Sequence, residues 1–130
     1  MASIDVQLRF ERGFAGELRT DRGTAAIGKG EGQFSPYELL LGALGSCYYA
    51  TFVDIANKMR LEYTGAAMDI SGTKRTEVPT TLETATIRFT IQGAADRKGF
   101  ARASELAGSY CSVHHTLSQV AAITTELLFE

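Results

Sequence analysis

The chain has 130 residues, 15 acidic against 13 basic, and a formal net charge of −2. That length predicts a single domain over residues 1–130, large enough for a real core. The charges of both signs are spread along the chain with no basic block, which argues against nucleic acid or an anionic membrane as a partner. Two cysteines, Cys47 and Cys111, are too few for a disulfide framework in a chain this size. The start, Met1-Ala2-Ser3-Ile4-Asp5, lacks the basic and apolar regions of a secretory signal. A soluble cytoplasmic protein is the expectation.

Residues 3–10 alternate polar and apolar, with Ile4, Val6, Leu8 and Phe10 on one face of a half-buried strand. Glu11-Arg12-Gly13 and Asp21-Arg22-Gly23 read as turns that separate two further strands, over residues 14–20 and 24–27. Gly28-Lys29-Gly30-Glu31-Gly32-Gln33 has the glycines of a phosphate cradle but not the Gly-Lys-Ser/Thr ending of one. It reads as a connector.

Ser35 is a good helix N-cap, Pro36 suits the first turn, and Glu38 complements the helix dipole there. The helix is expected to run from Pro36 to about Met59. Its first charge after Glu38 is Asp54, and residues between Leu39 and Val53 are apolar or small. That stretch is shorter than the roughly 20 apolar residues of a membrane span. A helix without a polar face needs burial on every side.

Residues 62–75 read as a strand, 76–80 as a turn, and 82–92 as a strongly alternating, β-branched strand. Residues 94–108 turn helical, with Ala95, Phe100, Ala103, Leu106 and Ala107 as the apolar stripe and Gly108 as the stop. A short helix over 112–119 and a strand over 121–129 complete the chain. The order β-β-β-α-β-β-α-α-β is that of an α+β domain with antiparallel strands and helices on a sheet face. One small sheet covers only one side of the long helix, so a second copy of the chain in a C₂ homodimer is the simplest way to cover the rest.

Cys47 lies about three turns into the apolar helix, where a lone cysteine is ordinarily a small packing residue. Cys111 opens the helix over 112–119, and free backbone N–H groups at a helix start lower the pKa of a thiol. On these grounds Cys111 is the more reactive of the two. Cys111 and His114 are one turn apart, a spacing that suits a shared metal with Cys47 as a third ligand. Four ligands are normal for a structural site, so the set is incomplete, and His114 and His115 read as a partner to Cys111 or as surface groups. Tyr48 and Tyr49 read as pocket lining or as packing with satisfied hydroxyls.

The motif Ser35-Pro36-Tyr37-Glu38-Leu39-Leu40-Leu41-Gly42-Ala43-Leu44-Gly45-Ser46-Cys47, together with Cys111, Val113 and Leu117 in the pattern Cys-x-Val-x-x-x-Leu, resembles the OsmC/Ohr family of organic hydroperoxide resistance and osmotically induced proteins. The resemblance covers nearly the whole chain. It implies an OsmC-like intertwined homodimer in which antiparallel sheets enclose two central, cysteine-bearing helices. It also implies an antioxidant peroxidase for the oxidative stress response. In that reading Cys47 attacks an organic hydroperoxide, Cys111 resolves the sulfenic acid to a disulfide, and a dithiol reductant, often lipoyl-linked in the family, restores both thiols. No cofactor or metal is implied. In the peroxidase branch a glutamate directly follows the proline, and an N-terminal arginine helps to hold the thiolate. Here Tyr37 takes the glutamate's place and Glu38 comes one residue later, as a candidate partner of the thiol. Arg19 and Arg22 are the nearest arginines, and neither they nor Lys29 match the family position. The alternative is a non-enzymatic member of the fold that binds an apolar small molecule at the dimer interface.

Overall fold

The structure is a computed structural model and describes residues 2–130. It divides into two compact units, one ending at Leu40 and one spanning Leu41–Glu130. In the first unit β1 (Gln7–Phe10), β2 (Gly16–Thr20) and β3 (Gly23–Ile27) form an antiparallel meander in that order. Its register pairs Leu8 with Leu18 and Leu18 with Ala25. The expected half-buried face is not buried here. Ile4 is 92% exposed, and Val6, Leu8 and Phe10 also lie open. Three short strands supply no second layer to cover their own apolar face.

The glycine-rich loop closes on its own side chain. The Gly30 N–H donates to Gln33 Oε1 at 2.8 Å, and the Gln33 N–H donates back to the Gly30 carbonyl at 3.2 Å. A Cβ on Gly28 would stand 2.2 Å from that same Gln33 oxygen, so glycine is needed for the amide to fold in. The loop is a braced connector, and the Gly30 amide that a phosphate would use is already engaged.

Next comes α1 (Pro36–Lys58), which begins in the first unit and continues through the second. Its start is reciprocally capped. The Ser35 N–H donates to Glu38 Oε1 at 2.8 Å, while the Glu38 N–H approaches Ser35 Oγ at 3.5 Å. Ser-x-x-Glu is the capping-box spacing. The helix therefore starts at the predicted residue and ends within one residue of the predicted stop.

In the second unit β4 (Gly65–Lys74), β5 (Leu82–Gln92) and β6 (Ala122–Phe129) form a sheet in that order, with α2 (Arg97–Tyr110) and α3 (Ser112–Ser118) between β5 and β6. β4 pairs antiparallel with β5, but β6 runs parallel to β5, with Ile87 opposite Thr125. The antiparallel expectation fails at this one edge. The two intervening helices carry the chain back to the starting end of the sheet, which is the crossover a parallel neighbour requires.

Helix α2 is capped by Asp96, whose carboxylate accepts the Gly99 N–H at 3.0 Å. It runs through Gly108 rather than stopping there, and Cys111 ends it by turning extended (φ −69°, ψ 118°). Gly108 lies along Tyr48, where an added Cβ would make ordinary contact at 3.9 Å. Its small size, rather than a left-handed backbone, suits the site. The buried residues of α2 are Phe100, Ala103, Ser104 and Ala107, whereas Leu106 is only half-buried and Ala95 lies exposed ahead of the helix.

The core of this unit packs Tyr48 and Phe52 of α1 against Ile87, Phe89 and Ile91 of β5 and Phe100 of α2, all with no exposed surface. Helix α1 lies hard on the sheet at Gly45, where a Cβ would sit 2.3 Å from Ile70 Cδ1. By length and composition alone α1 is long and apolar enough to cross a membrane. Its burial of Leu44, Gly45, Tyr48, Phe52 and Ala56 is that of a core helix. All-round burial does not occur within one chain, because Gly42, Ala43, Ser46 and Ala50 form an exposed strip of small residues.

Candidate functional site: a pair of unequal thiols

Cys47 is partly exposed in the fourth turn of α1, and Cys111 is fully buried at the joint between α2 and α3. Both are free thiols, close enough for each to shift the other's acidity. The start of α3 serves both of them. Ser112 Oγ lies 3.8 Å from Cys47 Sγ, and the backbone N–H groups of Val113 and Ser112 also face that sulfur. Cys111 is itself the N-cap of α3, and its sulfur accepts the His114 N–H at 3.4 Å.

These contacts split the two thiols. Partial burial pushes the Cys47 thiol up, but donation from the Val113 N–H, the Cys111 thiol, and the hydroxyl and N–H of Ser112 outweighs it. The Cys47 thiol ends below the ordinary range for cysteine. Burial pushes Cys111 up, and although the His114 N–H helps its thiolate, the neighbouring Cys47 sulfur opposes a second negative charge. The pair therefore gives up its first proton from Cys47, and Cys111 holds the second.

This reverses the order of reactivity expected from the sequence. N–H groups at the mouth of α3 point to a sulfur delivered by a different helix, while the cysteine that begins α3 sinks into the core. The sequence pattern gives Ser112 no role and Val113 only a place in the family motif. A serine in the first turn after a helix-opening cysteine was the one available signal.

The other candidates have partners of their own. Glu38 is occupied in capping α1, and the Ser35 N–H and then its hydroxyl hold the carboxyl below its usual range. Arg19 makes an exposed ion pair with Glu17, and the Arg22 N–H donates to Thr20 Oγ1 at 3.1 Å. Burial lowers the His114 imidazole, while His115 is exposed. Among the described residues, no three of His, Cys, Asp and Glu gather into a group able to hold a metal, so the Cys111–His114 spacing builds no such site. The Tyr48 hydroxyl donates to the Ser104 carbonyl at 2.8 Å, which accounts for the buried Ser104. Tyr49 and Tyr63 share a hydroxyl contact at 2.8 Å, and burial first, then Tyr49, pushes Tyr63 up to about 12. Tyr48 and Tyr49 are packing residues with satisfied hydroxyls.

A partly exposed, acidic thiol backed by a buried second thiol on an α+β frame defines a dithiol protein suited to nucleophilic and redox chemistry. The chain belongs to the OsmC-like protein family, whose model matches residues 28–126. A crystal structure of a hypothetical protein from Aquifex aeolicus VF5 has a TM-score of 0.85 at 26% identity, covering 100% of this chain and 99% of that one. The OsmC-like protein from Mycoplasma pneumoniae has a TM-score of 0.87 at 17% identity, with 98% and 97% covered. An organic hydroperoxide resistance protein OsmC from Legionella pneumophila has a TM-score of 0.76 at 12% identity, with 98% and 99% covered. At these lower identities the likeness is one of fold. Comparison with curated proteins gives no match.

Proposed function

We propose that this chain is a soluble, cytoplasmic, thiol-dependent hydroperoxide reductase, working as one domain in a homodimer. The observation that carries the reading is the Cys47 sulfur, partly exposed and held below the ordinary thiol range by donors at the mouth of α3, with Cys111 in contact behind it. The Cys47 thiolate attacks one oxygen of an organic hydroperoxide and the O–O bond breaks. The alkoxide takes a proton and leaves as alcohol, and Cys47 becomes a sulfenic acid. The Cys111 thiol then attacks the Cys47 sulfur, forming a disulfide and releasing water. A dithiol reductant, lipoyl-linked as the family resemblance suggests, exchanges with that disulfide and restores both thiols. Glu38 is read as a helix-capping carboxylate rather than a partner of the thiolate.

The dimer reading is supported by two surfaces that are open in the single chain, the apolar residues Ile4 to Phe10 and the small-residue strip of α1. A peroxide role is consistent with family membership and with the names of fold neighbours such as the Legionella pneumophila protein.

The test is to mix the reduced protein with one equivalent of organic hydroperoxide and follow free thiols and intact mass. The expected result is loss of both thiols with a mass decrease of about two hydrogens per chain. In Cys111→Ser the expected result is instead a gain of about one oxygen at Cys47, trapped with a sulfenic-acid reagent and advancing to higher oxides with excess peroxide. Two unreacted thiols in the wild-type protein would overturn the reading and leave the fold without this chemistry.

A further inference from the structure

We infer that the Ser112 hydroxyl is a catalytic hydrogen-bond donor to the Cys47 sulfur, an inference that rests on the peroxidatic reading of Cys47. Ser112 Oγ stands 3.8 Å from Cys47 Sγ, within reach for a sulfur acceptor. That hydroxyl faces Cys47 as its side-chain partner. The backbone on either side of Ser112 is held in place. The Cys111 N–H is bonded to the Ala107 carbonyl at 2.9 Å, and the His115 N–H to the Cys111 carbonyl at 3.0 Å. The hydroxyl is thus presented from a fixed turn to the one sulfur of the pair that meets solvent.

The bland alternative is a serine that merely tolerates the first turn of α3. The hydrogen-bonding at this turn tells against it. The N-cap role that a serine would usually fill belongs here to Cys111, whose sulfur accepts the His114 N–H, so the Ser112 side chain is not spent on the helix. Its O–H is free to donate outward. A neutral hydroxyl that donates to sulfur favours the thiolate over the thiol, because hydrogen bonds to an ionised acceptor are stronger than to a neutral one. It gives up no proton in the attack. The electron pair that forms the S–O bond comes from Cys47, and the proton that completes the alcohol comes from solvent. Lower basicity also lowers nucleophilicity, but less than proportionally, so a larger thiolate fraction at neutral pH gives a net gain in rate.

The test needs no peroxide at its first stage. Reduced wild type, Ser112→Ala and Ser112→Thr are alkylated with iodoacetamide across pH, and the modification of Cys47 is read by peptide mass. Ser112→Ala is expected to alkylate Cys47 about threefold more slowly near neutral pH, with the midpoint of the profile moved upward. Ser112→Thr, which keeps the hydroxyl, is expected to restore the wild-type profile. A serine of purely structural importance would change the thermal midpoint and leave the profile where it was. Superposable Cys47 profiles in wild type and Ser112→Ala would overturn the inference, even with disulfide formation by wild type intact. Failure of wild type to form the disulfide with hydroperoxide would instead defeat the peroxidatic reading, and the catalytic meaning of Ser112 with it, whatever the alkylation profiles.

Discussion

Cys47→Ser is expected to lower consumption of organic hydroperoxide by at least about a thousandfold, as loss of a covalent nucleophile does. A serine hydroxyl is not ionised near neutral pH and does not attack a peroxide O–O bond. The position is only partly buried and already faces a hydroxyl, so the substitution leaves no cavity and no orphaned donor. Helix content and the thermal midpoint should be retained, which separates lost chemistry from lost fold. The wild-type pH profile belongs to the same prediction. Activity needs the thiolate, so the rate should rise with pH as the pair loses its first proton. That midpoint should fall below that of an unperturbed cysteine thiol. Above it the rate should level off, because Cys111 titrates later and acts only after the attack. Turnover by Cys47→Ser at the wild-type rate would sink the assignment. A wild-type rate still climbing well above the ordinary thiol value would mean that Cys47 is not held as thiolate.

Phe52→Ala is expected to be the most destabilising single truncation in the chain, at about 3–5 kcal/mol. Phe52 has no exposed surface, and its ring meets four others. Phe89 lies edge-on at 4.9 Å between centroids, Tyr49 and Tyr63 at 6.0 Å, and Phe100 at 6.1 Å. Helix α1, strand β5 and helix α2 are thus joined through one ring. The surrounding rings are themselves rigid, so the space left by truncation will not close. For a domain of ordinary marginal stability, the loss is a large part of the whole. It should appear as a drop in thermal midpoint of about 10–20 °C, measured at matched protein concentration because association would also move it. A loss under about 1 kcal/mol would show that the aromatic cluster is not the centre of the core.

Much of the architecture was legible because it is written in local terms. Ser35 and Pro36 mark the start of α1 by chemistry confined to one turn, and α1 begins there. The residues from Thr84 to Gln92 alternate polar and apolar, and β5 runs over Leu82–Gln92. Gly108 misled because glycine ends a helix only where the backbone turns left-handed. Here it is a small residue beside Tyr48, and that fact belongs to packing between helices. The parallel β5–β6 edge was hidden for a similar reason. Residues 121–129 read as a strand in either direction, and only the path of α2 and α3 decides which way they run.

The sequence by itself determined the element order, the family resemblance and the identity of the two cysteines, because each of these rests on short-range pattern and composition. Tertiary structure alone decided which cysteine is the more acidic. A thiol's acidity depends on the donors that surround its sulfur, and those around Cys47 come from residues 111–113, on a part of the chain that only folding brings to it.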